Sequence, residues 1–474
     1  MDSVNENCAA EVSALLAPLP IFQEQEYFKE LIANRRCNGI EVKHNSTNGK
    51  GVYANSEFQE DELILKDQIL VGIQHSSNKV DCLVCSFCFR FIGSIEKQIG
   101  RKLYFKNLGV SSCCDGVSSE SEDDNKCMKY NGNEEQCGGS SSNHNSLPQE
   151  VVSSLMNNEI ALPFTDKFPL PSPLWCPGGC QEVFYCSESC AKADWESSHS
   201  LLCTGEKSES RSREALGEFI EHVNDTNDIF LLAAKAIAFT ILRYRKLKAD
   251  HVNEKAKQTE PKQSLLLEAW KPISIGYKRR WWDCIALPDD VDPSGEGAFR
   301  MQIKSLASTS LEHLKKAIFD KECEALFSLE IYGNIIGMFE LNNLDLVVAS
   351  PVEDYFLYIN DLPDAEKEEA MEITKPILDA LDDEYSDFCE GTAFFPLQSC
   401  MNHSCCPNAK AFKRDEDRDG QAVISALRRI SKNEEVTISY IDEELPYKER
   451  QASLADYGFT CNCPKCLQDS SSVA

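Results

Sequence analysis

Cysteine carries most of the reactive chemistry in this sequence, at 23 of 474 residues. Cys85 and Cys88 stand two residues apart, and Cys176-x3-Cys180, Cys186-x3-Cys190 and His199-x3-Cys203 follow within 28 residues of one another. At that spacing one short turn or one helical turn aims two soft ligands at the same ion. Four pairs make two complete sets of four, the closed coordination of structural zinc. Cys82 lies as far before Cys85 as Cys88 lies after it, so Cys82 competes with Cys88 for a place. A third group, Cys461, Cys463 and Cys466, closes the chain. Three thiolates leave one position for a ligand from afar or for an open, catalytic ion; Cys405 or Cys406 in Asn402-His-Ser-Cys-Cys-Pro-Asn408 could fill it. A lone pair of this kind is more often two buried thiols, but a compact block of three pairs reads as metal. The opening MDSVNENCAAEV lacks the basic and apolar regions of a secretory signal, so reduced thiols are expected.

The elements that must position these groups follow from periodicity and turn chemistry. Residues 1–35 read as an amphipathic helical lead-in, and residues 40–73 as short strands broken by Asn, Gly and Asp turns. Residues 111–146 contain no Ile, Leu, Phe or Trp, nine Ser, and seven acidic against two basic residues; they are expected to be a disordered insertion. A helix is expected from Ile229 to Leu247, capped by Asp228, with Lys235 in its middle and too short an apolar run to span a bilayer. A charged linker follows at 248–263, then helical periodicity over 301–329 and 365–381, with Pro376 bending the latter. Residues 421–427 and 434–440 read as strands joined through a polar turn. No repeat at a solenoid period is visible. With 42% hydrophobic residues the chain can fill a core, and its net charge of −29 repels phosphate backbones while attracting basic polypeptide tails. The plainer meaning of that charge is solubility.

The order C-x2-C, C-x3-C, YC-x3-C, H-x3-C, with Trp195 between the last two pairs, resembles the MYND finger, a cross-braced two-zinc module. The resemblance implies one ion on Cys85, Cys88, Cys186 and Cys190, and another on Cys176, Cys180, His199 and Cys203. The second pair departs from the family's commoner x2 spacing, and the segment after the first pair is longer than usual. NHSCCPN (402–408), EEVTISY (434–440) and YGFTCNCPKC (457–466) together resemble the SET-domain lysine methyltransferase signature with its post-SET cysteines. GKGVYANSEFQEDELIL (49–65) resembles the first SET strands, and the order of segments is similar to the SET–MYND subfamily and to the plant trithorax-related branch. By itself Gly49-Lys50-Gly51 is only a turn signal.

That resemblance implies an α+β fold: a β-rich SET core of small curved sheets, split by an inserted MYND-like two-zinc finger and helices, with a post-SET zinc cluster. The implied organisation is a helical lead-in (1–35), a first SET part (36–80), the finger (81–203), a helical insert with linkers (204–325), a second SET part (326–441), the post-SET cluster (442–468) and a tail (469–474). The family threads its C-terminal segment through a loop, against the usual rule. The implied activity is S-adenosylmethionine-dependent transfer of methyl to lysine, histone tails being the first candidate substrate. Tyr440 would be the catalytic phenol. Gly49, Lys50, Gly51, Asn402, His403 and Phe459 would bind the methyl donor, Tyr457 would line the lysine channel, and Asn342 or Asn343 would contact the donor. Cys405 would complete a third structural zinc with Cys461, Cys463 and Cys466. A monomer in the nucleus, with the cytoplasm as a second compartment, is expected, without membrane or direct nucleic-acid partners and with room for a peptide at the finger. Lys278-Arg279-Arg280 reads better as a surface basic turn than as a localisation signal. The competing reading is a non-enzymatic adaptor that uses the finger to dock peptides on a SET scaffold. A zinc hydrolase is disfavoured because every metal set is filled by protein ligands.

Overall fold

The structure is a computed structural model and describes residues 6–45, 49–109, 147–254, 262–288, 291–292, 294–382, 385, 388–414 and 416–472. The expected disordered insertion at 111–146 lies outside the described residues. Two helices, α1 (Glu6–Leu16) and α2 (Ile21–Arg35), precede the strands β1 (Ile40–Asn45), β2 (Gly49–Ala54), β3 (Leu63–Asp67) and β4 (Val71–Gln74). Helices α3 (Ile95–Asn107) and α4 (Gln149–Met156) come next, followed by the short hairpin β5 (Leu174–Trp175) and β6 (Phe184–Tyr185), α5 (Glu188–Asp194) and α6 (Ser200–Leu202). Five helices then run consecutively: α7 (Arg213–Asp225), α8 (Ile229–Glu254), α9 (Lys262–Ser274), α10 (Trp281–Cys284) and α11 (Glu296–Ile318). After α12 (Leu329–Asn342) the chain forms β7 (Asn343–Val348), α13 (Pro351–Asn360), α14 (Asp364–Leu381) and β8 (Cys389–Phe394). It ends with β9 (Asn402–His403), β10 (Ala409–Ala411), β11 (Ala422–Ala426), β12 (Glu435–Ile438), α15 (Tyr447–Asp456) and α16 (Pro464–Ser472).

Helices make up more of the molecule than strands, but the strands form its centre in three small sheets. Their orders are β1-β2-β12-β9, β10-β11-β3 and β4-β8-β7. Each sheet joins strands from the first 75 residues to strands beyond residue 340, so the helices between them are insertions into one sheet system. The fold is therefore mixed α and β with small sheets. One continuous apolar cluster joins α1 and α2 to these sheets and to α7, α8, α9, α11 and α12. Helix α8 is its axis: Ala233, Ala234, Ala236 and Ala238 are fully buried, allowing close approach of neighbouring elements. Lys235, in the middle of that apolar run, donates to the carbonyl of Gly72 at 2.9 Å and so ties α8 to β4. Among the described residues no helix is long and apolar enough to cross a membrane.

Three local expectations are corrected. Asp228 does not cap α8 with its side chain; Asn227 Oδ1 accepts from the Ile229 N–H at 2.8 Å, while the Asp228 carboxylate accepts from Ser76 N at 2.8 Å and Oγ at 2.5 Å. The charged stretch expected as a linker from 248 continues α8 to Glu254, with Lys248 paired to Glu322 at 2.6 Å. The periodicity over 301–329 covers two helices, because the Asp320 side chain caps a new turn at Glu322 N and Cys323 leaves helical geometry. The strands expected at 421–427 and 434–440 form as β11 and β12, and they do not pair with each other. The segment between them is held by the end of β2, through Asn433 N to Ala54 O at 2.8 Å and the Phe58–Ile430 bridge. This places the two strands in different sheets.

Candidate active site

The Gly-x-Gly strand meets the Asn-His segment where sequence-distant strands are joined. Gly49 has φ +72°, a left-handed conformation that glycine adopts without strain. A Cβ on Gly51 would lie 2.6 Å from Glu435 Oε1 and 3.2 Å from Asn402 Nδ2, so any larger residue would displace those side chains. Asn402 Nδ2 donates to the Lys50 carbonyl at 2.8 Å and to Glu435 Oε1 at 2.7 Å. Strand β9 runs parallel to β12, placing Asn402 beside Thr437 and His403 beside Ile438. Asn408 holds the two motifs together: its Oδ1 accepts from Thr437 N and its Nδ2 donates to Glu435 O, both at 2.8 Å.

Tyr440 follows β12 and turns into the same place. Its phenol donates to the Met401 carbonyl, and its backbone N–H donates to His403 Nδ1 at 3.1 Å. Burial holds the phenol above its usual pKa, with Tyr457 adding to the effect. The ring centroids of His403, Tyr457 and Phe459 lie 5.4, 5.2 and 6.4 Å from that of Tyr440. Burial and the charge of Arg450 lower the His403 pKa to about 4, so the imidazole is neutral at pH 7. With Nδ1 accepting, its proton belongs on Nε2, 3.2 Å from Cys405 Sγ. Gly458, at φ +84°, turns the chain between Tyr457 and Phe459 beside Arg279.

Three groups of side chains are arranged so that each could hold a metal ion: Cys85, Cys88, Cys186 and Cys190; Cys176, Cys180, His199 and Cys203; and Cys405, Cys461, Cys463 and Cys466. Within each group the ligand atoms all lie within 4.8 Å of one another. Their positions come from local structure. Ser187 caps α5 through Cys190 N, and a π turn at Trp195–His199 delivers His199. Cys82 is not part of the first group; its thiol donates to Phe388 O at 3.3 Å in a separate apolar cluster. Cys406 is exposed and outside the third group, whereas Cys405 is buried within it. Three or four thiolates this close would repel one another strongly in a low-dielectric site, and a divalent cation relieves that repulsion. No disulfide links the described cysteines.

A SET domain family model matches residues 49–441, most of the chain. The chain belongs to the SET-domain family. It is 85% identical to the Arabidopsis thaliana protein named Histone-lysine N-methyltransferase ATXR2, over the whole of both sequences. It is 30% identical over 159 residues to the Gallus gallus Protein-lysine N-trimethyltransferase SMYD5, covering 32% of this chain and 37% of that protein. A Dictyostelium discoideum SET and MYND domain-containing protein is 39% identical over 90 residues, covering 19% of this chain and 22% of that one.

Within this SET protein, Gly49, Lys50, Gly51, Asn402, His403, Tyr440, Tyr457, Phe459 and the four C-terminal thiols converge on one locality. Asn342 stands differently. Its Oδ1 accepts from Tyr277 N at 3.0 Å and its Nδ2 donates to Tyr277 O at 2.7 Å and Met338 O at 2.8 Å, so the amide clamps the loop after α9. Only the backbone of Asn343 is described, in β7 opposite Phe394. Lys278 is half-buried over the Trp270 ring, and Arg279 donates to Asp283 O, so the basic tripeptide is tied into the fold rather than free. Sequence reasoning missed Arg450 and Gln451. Arg450 is buried and donates to Leu445 O, the Asp469 carboxylate and Cys466 Sγ, while Gln451 contacts Cys461 and Cys466. In a stretch reading KERQ they look like a solvated helix face, and no spacing signal marks them.

Proposed function

We propose that the protein is an S-adenosylmethionine-dependent protein-lysine N-methyltransferase acting on histone tails. The observation that carries this reading is the joining of Gly-x-Gly, Asn402-His403 and Tyr440 in one place by strands from opposite ends of a SET domain. S-adenosylmethionine, when bound, supplies an electrophilic methyl on a sulfonium. A glycine-opened strand edge at Gly49–Gly51, with Lys50, Asn402 and His403, binds the donor, and Phe459, 37% exposed, offers a face for its adenine. A neutral His403 brings no charge to repel the sulfonium.

The attacking lysine must lose its proton, since a free amine has a pKa near 10.4. A channel walled by Tyr440, Tyr457 and Phe459 disfavours the ammonium by desolvation. The Tyr440 phenol, already oriented by the Met401 carbonyl, stays protonated and polarises and aligns the reacting centre without forming a bond to it. Each Cys/His group fits zinc by donor softness, ligand number and closed geometry. On this reading Cys85, Cys88, Cys186 and Cys190 hold one ion, Cys176, Cys180, His199 and Cys203 a second, and Cys405, Cys461, Cys463 and Cys466 a third. All three are structural.

A net charge of −29 favours basic tails over nucleic acid, and a histone substrate places the protein, as a monomer, in the nucleus. The finger presents Trp175, 65% exposed and packed against Phe184 at 4.7 Å, as a face for a peptide partner. The deciding experiment is labelled-methyl transfer from S-adenosylmethionine to recombinant histones, read by mass spectrometry. Transfer by the wild type and its loss in Tyr440→Phe is the expected result. No transfer to any histone or nuclear-extract protein by donor-binding, zinc-loaded enzyme would leave the adaptor reading in its place.

A further inference from the structure

Two charged side chains reach the candidate site from α2, which lies outside the residues matched by the SET family model. Glu24 is buried, with 7% exposure. Its Oε1 pairs with Lys50 Nζ at 2.9 Å and its Oε2 meets His44 Nε2. Lys50 Nζ also donates to Ile275 O and lies 5.7 Å from the centre of the Phe28 ring. The Lys50 side chain is thus held at its end, while its backbone carbonyl receives Asn402 Nδ2. Eleven residues further along the same helix, Arg35 pairs with Asp67, whose side chain is fully buried. Asp67 Oδ2 accepts from the N–H groups of Leu397 at 2.7 Å and Gln398 at 2.9 Å. Those residues open the turn Gln398–Cys400, which leads directly to Met401, the acceptor of the Tyr440 phenol, and to Asn402.

We infer that α2 is a working part of the methyl-donor site, with Glu24 and Arg35 as positioning residues that set Lys50 and the Leu397–His403 segment; this rests on the donor-binding reading above. A helix that only covers a core would do so with apolar residues. Burying a carboxylate is costly unless it is paired, and buried ion pairs are often no more stabilising than apolar replacements. What the two pairs provide is direction: each ends on a backbone segment that faces the donor. Neither residue touches the reacting atoms, so their effect falls on donor affinity.

The test is calorimetric binding of S-adenosylmethionine and S-adenosylhomocysteine to full-length, zinc-loaded protein, with melting temperatures measured alongside. Glu24→Gln is expected to weaken donor binding roughly ten-fold and Arg35→Met roughly five-fold, the scale of other supporting contacts around functional sites. Arg35→Lys, which keeps the charge, should recover part of the loss. Hydrogen exchange at the Leu397 and Gln398 amides should quicken in Arg35→Met. Ile32→Ala, a buried position on the same helix, serves as the packing control. It should lower the melting temperature while leaving donor affinity within about two-fold, because it removes packing without touching either pair. Wild-type donor affinity in folded Glu24→Gln and Arg35→Met would overturn the inference alone. Loss of affinity in Ile32→Ala proportional to its lost stability would also overturn it, since α2 would then act only through the core. Absence of donor uptake by the wild type would instead bring down the enzymatic reading itself, and this inference with it.

Discussion

The finger and the C-terminal cysteine cluster use the same donor chemistry and stand in different relations to Tyr440. In the C-terminal cluster Cys405 lies 3.2 Å from His403 Nε2, and the segment that supplies Cys461 begins just after Tyr457 and Phe459. In the finger, the ligands pack with Leu83, Ile92, Tyr185 and Ala191 in a cluster of their own. Among the described residues, the ring and hydrogen-bond contacts given above for Tyr440 come from 401–403 and 457–459 and none from the finger. Similar ligand sets therefore stand in different places: one lies against the candidate site, the other in a separate apolar cluster.

The largest effect that sharpens this contrast is expected at the phenol. Tyr440→Phe removes the hydroxyl and keeps the ring, so methyl transfer should fall by roughly 10²–10³-fold, as for loss of one preorganised donor. Donor binding by calorimetry should persist. Cys463→Ser comes next. It opens the C-terminal set, and activity should fall by roughly 10–100-fold, the scale seen when groups that support a metal site are lost. Metal analysis should show about two ions retained, since the finger's two closed sets are untouched. Gly51→Ala should weaken donor binding by roughly ten-fold, because its Cβ must displace Glu435 or Asn402 and about 1.4 kcal/mol of lost contact is tenfold in affinity. Cys186→Ser is the counter-test: it should cost a finger ion and local stability, yet leave transfer to a free histone peptide within about three-fold if the finger contributes no group to the site. An activity loss equal to that of Cys463→Ser would erase the distinction between the two regions. The smallest effect is in the pH profile. Because burial keeps Tyr440 protonated above the usual tyrosine range, transfer should rise with pH from about 7 to 9 as the substrate amine deprotonates, with no falling limb from the phenol below pH about 10.

Part of the fold could be read because its signals are local. The strands from Ile40 to Gln74 announce themselves by β-branched runs between turn residues, and cysteine pairs a turn apart reveal their grouping without any knowledge of distant contacts. Other signals were ambiguous for equally physical reasons. The strands at 421–427 and 434–440 are legible but their partners are not: β12 pairs with β2 in a register that sets Glu435 and Val436 against Tyr53 and Val52, with Gly51 beside Asn402. Asp228 looks like a cap because caps are recognised by residue type. The tertiary neighbour Ser76 claims its carboxylate instead, and Asn227 takes the role.

Residue order and spacing, with the family resemblance they carry, pointed to the cysteine groups, the choice of Cys405, a SET framework and Tyr440 at the end of a strand, because ligands a turn apart and motif residues on one strand share their geometry with their neighbours in sequence. The clamp made by Asn342 on Tyr277, and the pins that Glu24 and Arg35 place on segments as far away as residue 398, needed the folded molecule. Those choices depend on which side of a backbone turns inward and which buried charge finds a partner across hundreds of residues, and neither leaves a period or a spacing in the chain.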